Sequence, residues 1–320
     1  MPALSARFAH IFFMDGVGLG DDDPATNPFV TAHLPVLTGL LGEKWYVKDR
    51  GRITTPRASF IPTDANLGIP GRPQSATGQA TILSGRNIPQ LIGEHYGPKP
   101  NPAVAELVHQ GTLFHDIIKA GGAAALLTPY PQGYFDGINS GKRLYSSVPL
   151  AATSAGLRLM TVDDLRQGEA ISPDFTAQAW RSFLGYENIP VLSLFAAGER
   201  LAHLASQYDF SFFEHWPSDR TGHKGTLADA AAHLEMLDEA IGGLLAAWDD
   251  EQGLLVITSD HGNIEAKNHR QHTENPVPTL LIGPNHTILA QQIHSLADIA
   301  PAIKHHLSLK TPNSELETRN

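Results

Sequence analysis

Seven side chains in this sequence are of the types, and stand in the settings, from which a metal-assisted reaction can be built: Asp15, Ser75, Asp219, His223, Asp260, His261 and His272. An apolar run at residues 254–258 ends abruptly in Ser259-Asp260-His261-Gly262-Asn263. A carboxylate and an imidazole therefore sit side by side where a buried strand emerges, the edge at which open α/β sheets keep their chemistry. Both are good oxygen or nitrogen donors for a divalent cation of the zinc or manganese kind. His272 follows in the proline-stiffened His272-Thr-Glu-Asn-Pro-Val-Pro278 segment, Asp15 closes the apolar run at 10–14, and Asp219 and His223 follow a further strand candidate at 208–214. Singly, each has a plain account: a solvated strand-end turn for Asp260-His261, a loop cap for Asp219, a core histidine for His223, a ring beside a proline turn for His272. Jointly, three carboxylates, three imidazoles and a hydroxyl are the ingredients of a two-metal site.

The hydroxyl is Ser75. Residues 74–86 read as a helix start with small residues after Ser75 and Gly85 at the far end. A hydroxyl in that place ordinarily caps the helix. The same place favours bound phosphate, because free N–H groups and the helix dipole point at it. Thr77 is the competing hydroxyl. Gly16, Gly18 and Gly20 do not make a dinucleotide loop, since their spacing is wrong and Asp21-Asp22-Asp23-Pro24 follows where a helix should start and would repel a pyrophosphate.

Composition narrows the field. The 320 residues, 42% hydrophobic and 18% charged, carry a formal net charge of −10. That balance describes a soluble globular protein and argues against nucleic acid or an anionic membrane as the main partner, since both need clustered Lys and Arg. With no cysteine, disulfides, thiolate metal sites and cysteine nucleophiles are excluded, so a bound metal would have only oxygen and nitrogen ligands. The apolar run at 8–14 is too short to span a bilayer, lacks a small-residue cleavage site and reads as a strand; a cytoplasmic location is the default expectation.

The elements that must position these residues alternate. Strands are expected at 10–14, 123–128, 208–214 and 254–258, and helices within 27–41 and at 75–85, 112–120, 196–207 and 228–248. Residues 61–71 read as loop and 88–110 as a Pro- and Gly-rich flap. Residues 131–195 read as a small insertion over the sheet edge and 308–320 as a flexible tail. The expected fold is one α/β domain across 1–320, a mainly parallel sheet with helices on both faces.

Asp15-Gly16, Gln74-Ser75-Ala-Thr-Gly78-Gln79, Asp219-Arg-Thr-Gly222-His223, Ser259-Asp260-His261-Gly262-Asn263 and His272 to Pro278 together resemble, in order along nearly the whole chain, the metalloenzyme core of the alkaline phosphatase superfamily. Within it they are most similar to cofactor-independent phosphoglycerate mutase and phosphopentomutase. The resemblance implies two divalent ions, manganese or zinc, with magnesium suited to the more oxygen-rich site. One would be held by Asp219, His223 and His272, the other by Asp15, Asp260, His261 and the oxygen of Ser75, which falls at the nucleophile position.

The chain departs from those mutases in three places. The flap at 88–110 stands where phosphoglycerate mutases insert a large Arg-rich domain, and it has no Arg. Gln79 replaces the histidine after the glycine, and the strand end at 124–132 lacks a lysine. Without a domain to retain the intermediate, hydrolysis of a small phosphate ester through a phosphoserine is the expected activity. The alternatives are a phosphomutase with a minimal cap, a phosphodiesterase by the same chemistry, and a non-catalytic metal-binding protein. A sulfatase fits less well, its nucleophile lying in a different motif. Gln79, Arg86, Lys142, Arg143 and Lys224 are the candidate substrate contacts, each of the cations having solvated surface charge as its plain reading. Substrate identity and oligomeric state are not encoded legibly.

Overall fold

The computed structural model describes residues 7–309. Phe8–Met14 forms β1, every residue of it buried, as a strand covered on both faces requires. Its pleat sends Phe8, Phe12 and Met14 into one apolar core and Ala9, Ile11 and Phe13 into the other. The remaining strands are β2 (Ile53–Thr54), β3 (Ala58–Thr63), β4 (Ala124–Leu126), β5 (Phe210–His215), β6 (Gly253–Thr258) and β7 (Val277–Ile282). They make one seven-stranded sheet in the order β2-β3-β7-β6-β1-β5-β4.

The half formed by β6, β1, β5 and β4 is parallel, as the strand-helix alternation predicts. The other half is antiparallel at every pairing, and it was not visible in the sequence. Its strand β3 occupies the start of the stretch read as loop, residues 61–71. Pro62 stands directly opposite Pro278 of β7, so the two residues without an N–H share one position of the ladder, and the proline that looked like a strand breaker does not interrupt the pairing.

Helices cover both faces. Leu194–Ala205 and Leu227–Ala247 lie on one, packed backbone to backbone: a Cβ on Gly198 would come within 2.0 Å of the Ala240 carbonyl oxygen, and one on Gly243 within 1.9 Å of the Phe195 oxygen. Only glycine allows that approach. The other face is covered by Ser75–Ser84, Pro102–His109, Leu113–Lys119, Ser147–Ser154 and Ile299–His306.

The flap at 88–110 contains two short helices, Ile88–Ile92 and Pro102–His109. Its prolines start helices instead of breaking them: Pro89 and Pro102 occupy first-turn positions, and Asn87 and Asn101 cap from outside. The segment expected as an insertion, 131–195, is helical and lends Val148, Ala151 and Phe175 to the two cores, the Phe175 ring centroid lying 5.9 Å from that of Phe12. The tail expected at 308–320 lies, beyond residue 309, outside the described residues. Among the described residues no helix is long and apolar enough to cross a membrane.

Candidate metal centre

All seven chemistry-bearing residues converge at the carboxyl end of the parallel strands. Asp15 follows β1 directly, and Asp260 and His261 come two and three residues after β6. Asp219 and His223 sit one turn apart on the Pro217–Lys224 helix, which begins after a single residue beyond β5. The sequence shows no helix there because the segment is almost wholly polar; Pro217 in the first turn is the local signal. Ser75 is the first residue of the Ser75–Ser84 helix, and the Gln74 side chain before it makes no capping bond. His272 lies in the loop entering β7, whose amino end faces the same way as the carboxyl ends of its antiparallel neighbours.

The Ser75 hydroxyl oxygen is 3.0 Å from His261 Nε2. That nitrogen is 3.3 Å from Asp15 Oδ1 and 3.6 Å from Asp260 Oδ2. On the other side His223 Nε2 lies 3.2 Å from His272 Nε2 and 3.4 Å from Asp219 Oδ2. Asp219 Oδ1 is 3.6 Å from His272 Nε2, and the rings of His261 and His272 stack with centroids 3.7 Å apart. Donor atoms of Asp15, Asp260 and His261 lie within 4.8 Å of one another, and so do those of Asp219, His261 and His272. His261 thus stands between two donor groups, closer to the Asp219 set than the sequence resemblance implies. Thr77 is engaged elsewhere, its hydroxyl donating to the carbonyls of Gln74 and Tyr96.

The three imidazoles share one wiring. His223 Nδ1 donates to the Arg270 carbonyl at 2.7 Å, His272 Nδ1 to that of Pro73 at 2.9 Å, and His261 Nδ1 lies 3.3 Å from that of Gly262. A carbonyl only accepts, so Nδ1 carries a proton in each ring, and a ring that is neutral turns an Nε2 lone pair into the cluster. Three lone pairs then face three carboxylates, with His223 and His272 nose to nose. Asp15 Oδ1 is buried and accepts no hydrogen bond.

Protons relieve this unevenly. Burial pushes the Asp15 and Asp260 carboxyls up; Asp219 adds to the rise at both and Asp15 to that at Asp260, while His261 opposes it. Burial lowers His261, but Asp260 and Asp15 beside it outweigh that and push it up to about 10; burial and the neighbouring His261 push His272 down to about 4. An all-oxygen-and-nitrogen donor set with Nδ1 tied to backbone carbonyls is what a divalent cation site requires, and these residues fit such ions.

Around the cluster stand residues that sequence reasoning missed. Glu265, fully buried, accepts from the Gly18 and Asn263 N–H groups at 3.0 and 2.7 Å, from Asn275 Nδ2 at 3.0 Å and from the Thr273 hydroxyl. Asn263 Nδ2 donates to Asp219 Oδ1 at 2.6 Å. Ser218 donates to the Asp15 carbonyl at 2.6 Å. Lys99, in the flap noted for lacking Arg, is partly buried within the electrostatic reach of Glu214 and Asp15; burial lowers its ammonium and those carboxylates oppose the shift. Tyr130 donates to Glu214 at 2.9 Å, and burial pushes that carboxyl up to about 7.

A cleft of about 730 Å³ opens over Ser75, Asp219, His223 and His272. Of the candidate substrate contacts, Gln79 reaches the cluster, its Nε2 lying 3.5 Å from Asp15 Oδ2 and 3.4 Å from Asp260 Oδ2. Arg86 is turned away to Gln110 and the Leu107 carbonyl, and Arg143 lies over the Tyr134 ring. Neither of these, nor Lys142 or Lys224, lines the cleft; Arg72 and Arg270 do. Both were overlooked because nothing in their own sequence neighbourhoods marks them as facing the site.

Comparison with known proteins bears on this geometry. Residues 194–311, which carry five of the seven cluster residues, match the model of the Metalloenzyme superfamily. The 2,3-bisphosphoglycerate-independent phosphoglycerate mutase of Methylobacillus flagellatus is 33% identical over 136 residues, 40% of this chain and 26% of that protein. That of Dinoroseobacter shibae is 36% identical over 120 residues, 35% of this chain and 23% of its own. The chain thus spans about a quarter of the length of the curated relatives it matches. In fold it is similar to the alkaline phosphatase from the Antarctic bacterium TAB5, with a TM-score of 0.52 and 10% identity over 95% of this chain and 98% of that one. The family match thus covers residues 194–311, and the fold is similar to that of an alkaline phosphatase.

Proposed function

We propose that this protein is a phosphohydrolase that cleaves a small phosphate ester through a phosphoserine on Ser75. The observation that carries the reading is the convergence of three Nε2 lone pairs and three carboxylates around a serine hydroxyl at a helix N-terminus. Asp219, His223 and His272 would hold one divalent cation, and Asp15, Asp260 and His261, with the Ser75 oxygen, the other; manganese or zinc suits these donors. When bound, the two ions supply the positive charge that makes a serine hydroxyl nucleophilic at neutral pH and that offsets charge developing on the phosphoryl group.

The chain's own residues do the rest. In the first turn of the Ser75–Ser84 helix the Thr77 N–H is spent on the Tyr96 carbonyl, and those of Ser75 and Ala76 are left for the phosphoryl oxygens. Ser75 forms the new bond to phosphorus while the bond to the substrate's alcohol oxygen breaks in line with it. Gln79, buried beside Asp15 and Asp260, holds those carboxylates in place. Water then cleaves the phosphoserine.

A second reading, a mutase that returns the phosphoryl group to another oxygen of the same substrate, is favoured by the relatives' names; the described flap is two short helices and offers little to retain an intermediate. Release of inorganic phosphate from a panel of phosphomonoesters and phosphodiesters by manganese- or zinc-loaded protein tests the choice. Ser75→Ala is expected to lower release by on the order of 10³-fold or more while retaining metal. Metal-bound protein that releases no phosphate from any ester would sink the hydrolase reading, and isomerase activity on sugar phosphates would then decide for the mutase.

A further inference from the structure

The cleft is larger than the chemistry of one phosphoryl group needs. At about 730 Å³ it is the size of sites that take up most of a drug-sized ligand, about 300–1,000 Å³. One wall is apolar or backbone, with Pro70, Tyr96 and Pro98; the rim carries Arg72, Arg270 and a single acid, Glu94.

Several arginines of this acidic chain are spent on internal partners. Arg57, Arg158 and Arg166 are paired with Asp250, Asp164 and Asp163. Arg52 and Arg86 are spent on backbone carbonyls. Among the described residues the Arg72 and Arg270 guanidinium groups have no carboxylate within ion-pair distance, although Glu94 lines the same rim.

Their backbones are also fixed to the cluster. The carbonyl that orients His223 is that of Arg270 itself, at 2.7 Å, and the carbonyl that orients His272 belongs to Pro73, the residue after Arg72, at 2.9 Å. The hydrogen bonds that aim two imidazoles inward therefore hold two unpaired guanidinium groups at the rim of the same cleft. A guanidinium presents a planar fork that matches a carboxylate or a phosphate.

We infer that Arg72 and Arg270 form a clasp for a second anionic group on the substrate, so that the ester acted on carries a carboxylate or another phosphate besides the phosphoryl group transferred at Ser75. This specifies the substrate class for the phosphohydrolase reading and rests on it. The clasp leaves the attacked phosphorus at Ser75 and grips the far end of the molecule, which would otherwise face open solvent.

Calorimetric titration of the manganese-loaded protein with three non-hydrolysable phosphonates tests the clasp: propylphosphonate, 3-phosphonopropanoate and propane-1,3-bisphosphonate. At least one of the two tailed compounds should bind about tenfold or more tightly than propylphosphonate. Which of them gains more identifies the tail as carboxylate or phosphate. The Arg72→Gln, Arg270→Gln double variant should bring that ratio close to one. Arg57→Gln, at the opposite end of the sheet, should leave it as in the wild type.

Equal binding of all three compounds, or a ratio that survives the double variant, overturns the clasp. If simple esters are turned over with no gain from an anionic tail, the clasp alone fails. If no phosphonate binds and no ester is turned over, the phosphoryl-transfer reading fails and the clasp with it.

Discussion

Glu265 accepts hydrogen bonds from three stretches of chain at once: the loop after β1 at Gly18, the loop after β6 at Asn263, and the segment leading to β7 at Thr273 and Asn275. It touches none of the proposed ligands, yet it ties together the loops that carry Asp15, His261 and His272. Glu265→Ala would strand two buried N–H groups, at about 1–3 kcal/mol each. The expected result is a loss on the order of 3 kcal/mol in urea unfolding, and a 10–100-fold drop in manganese or zinc affinity, the range typical for groups that support ligands from behind. Unchanged metal affinity in the folded variant would show that the loops hold their places without it. At this scale the sequence was legible where a residue's own chemistry announces its use, as with Asp260-His261 or Ser75. It was illegible where the use depends on partners: Glu265 and Gly18 are 247 residues apart, and Arg72 and Arg270 meet the cleft through folds of backbone that no local pattern records.

The Pro217–Lys224 helix, bearing Asp219 and His223, is braced by a histidine pair. His215 Nδ1 donates to the Pro173 carbonyl at 2.7 Å, its Nε2 faces His233 Nε2 at 2.8 Å, and His233 Nδ1 lies 3.3 Å from the Thr221 hydroxyl of the helix. The 2.8 Å bond needs one bare nitrogen and one N–H, so at most one of the two rings can take an extra proton without breaking it. Burial pushes His233 down to about 4 and His215 down further, His233 adding to the fall at His215. The folded pKa lies below the unfolded value of about 6.5; the unfolded chain therefore takes up the proton first as pH falls. The pair's contribution is present above pH 6.5 and is lost as pH falls toward about 4. Urea midpoints measured across that window should fall less steeply for His233→Gln, by on the order of 2 kcal/mol over the full range. A slope equal to that of the wild type would mean that other groups set it. Elements announced by apolar runs, β1 and β6 above all, were readable from sequence. The Pro217–Lys224 helix and the two flap helices were not, because their prolines sit in first turns and their polar faces lack periodicity.

For the whole molecule, seven donor residues spread between positions 15 and 272 are brought to one end of one sheet. Ions that bind this arrangement and not the unfolded chain stabilise the fold by mass action, by about 2.7 kcal/mol at a hundred times the dissociation constant. Adding manganese or zinc to chelator-treated protein should raise Tm by about 4 °C per ion for a chain of this size, and chelator should reverse the shift. A Tm indifferent to both would count against a metal centre at this place. The parallel half of the sheet could be foreseen from the alternation of strands and helices. The antiparallel half could not, since Pro62 and Pro278 disguise β3 and β7 and only their mutual pairing explains why both are tolerated.

The position of β1 also bears on how the chain is made. Its partners, β5 and β6, lie about 200 and 245 residues downstream, with Ala9 opposite Phe210 and Leu254. At about 5–20 residues per second, β1 leaves the ribosome roughly 10–40 s before β5 exists. For that interval Phe8–Met14 is an unpaired apolar strand with nothing of its own chain to pair with. The strands made in the meantime, β2, β3 and β4, are not its neighbours in the finished sheet. An interior strand of the finished sheet is thus left without its partners in the nascent one, and holding it back from premature pairing falls to whatever meets the chain as it emerges.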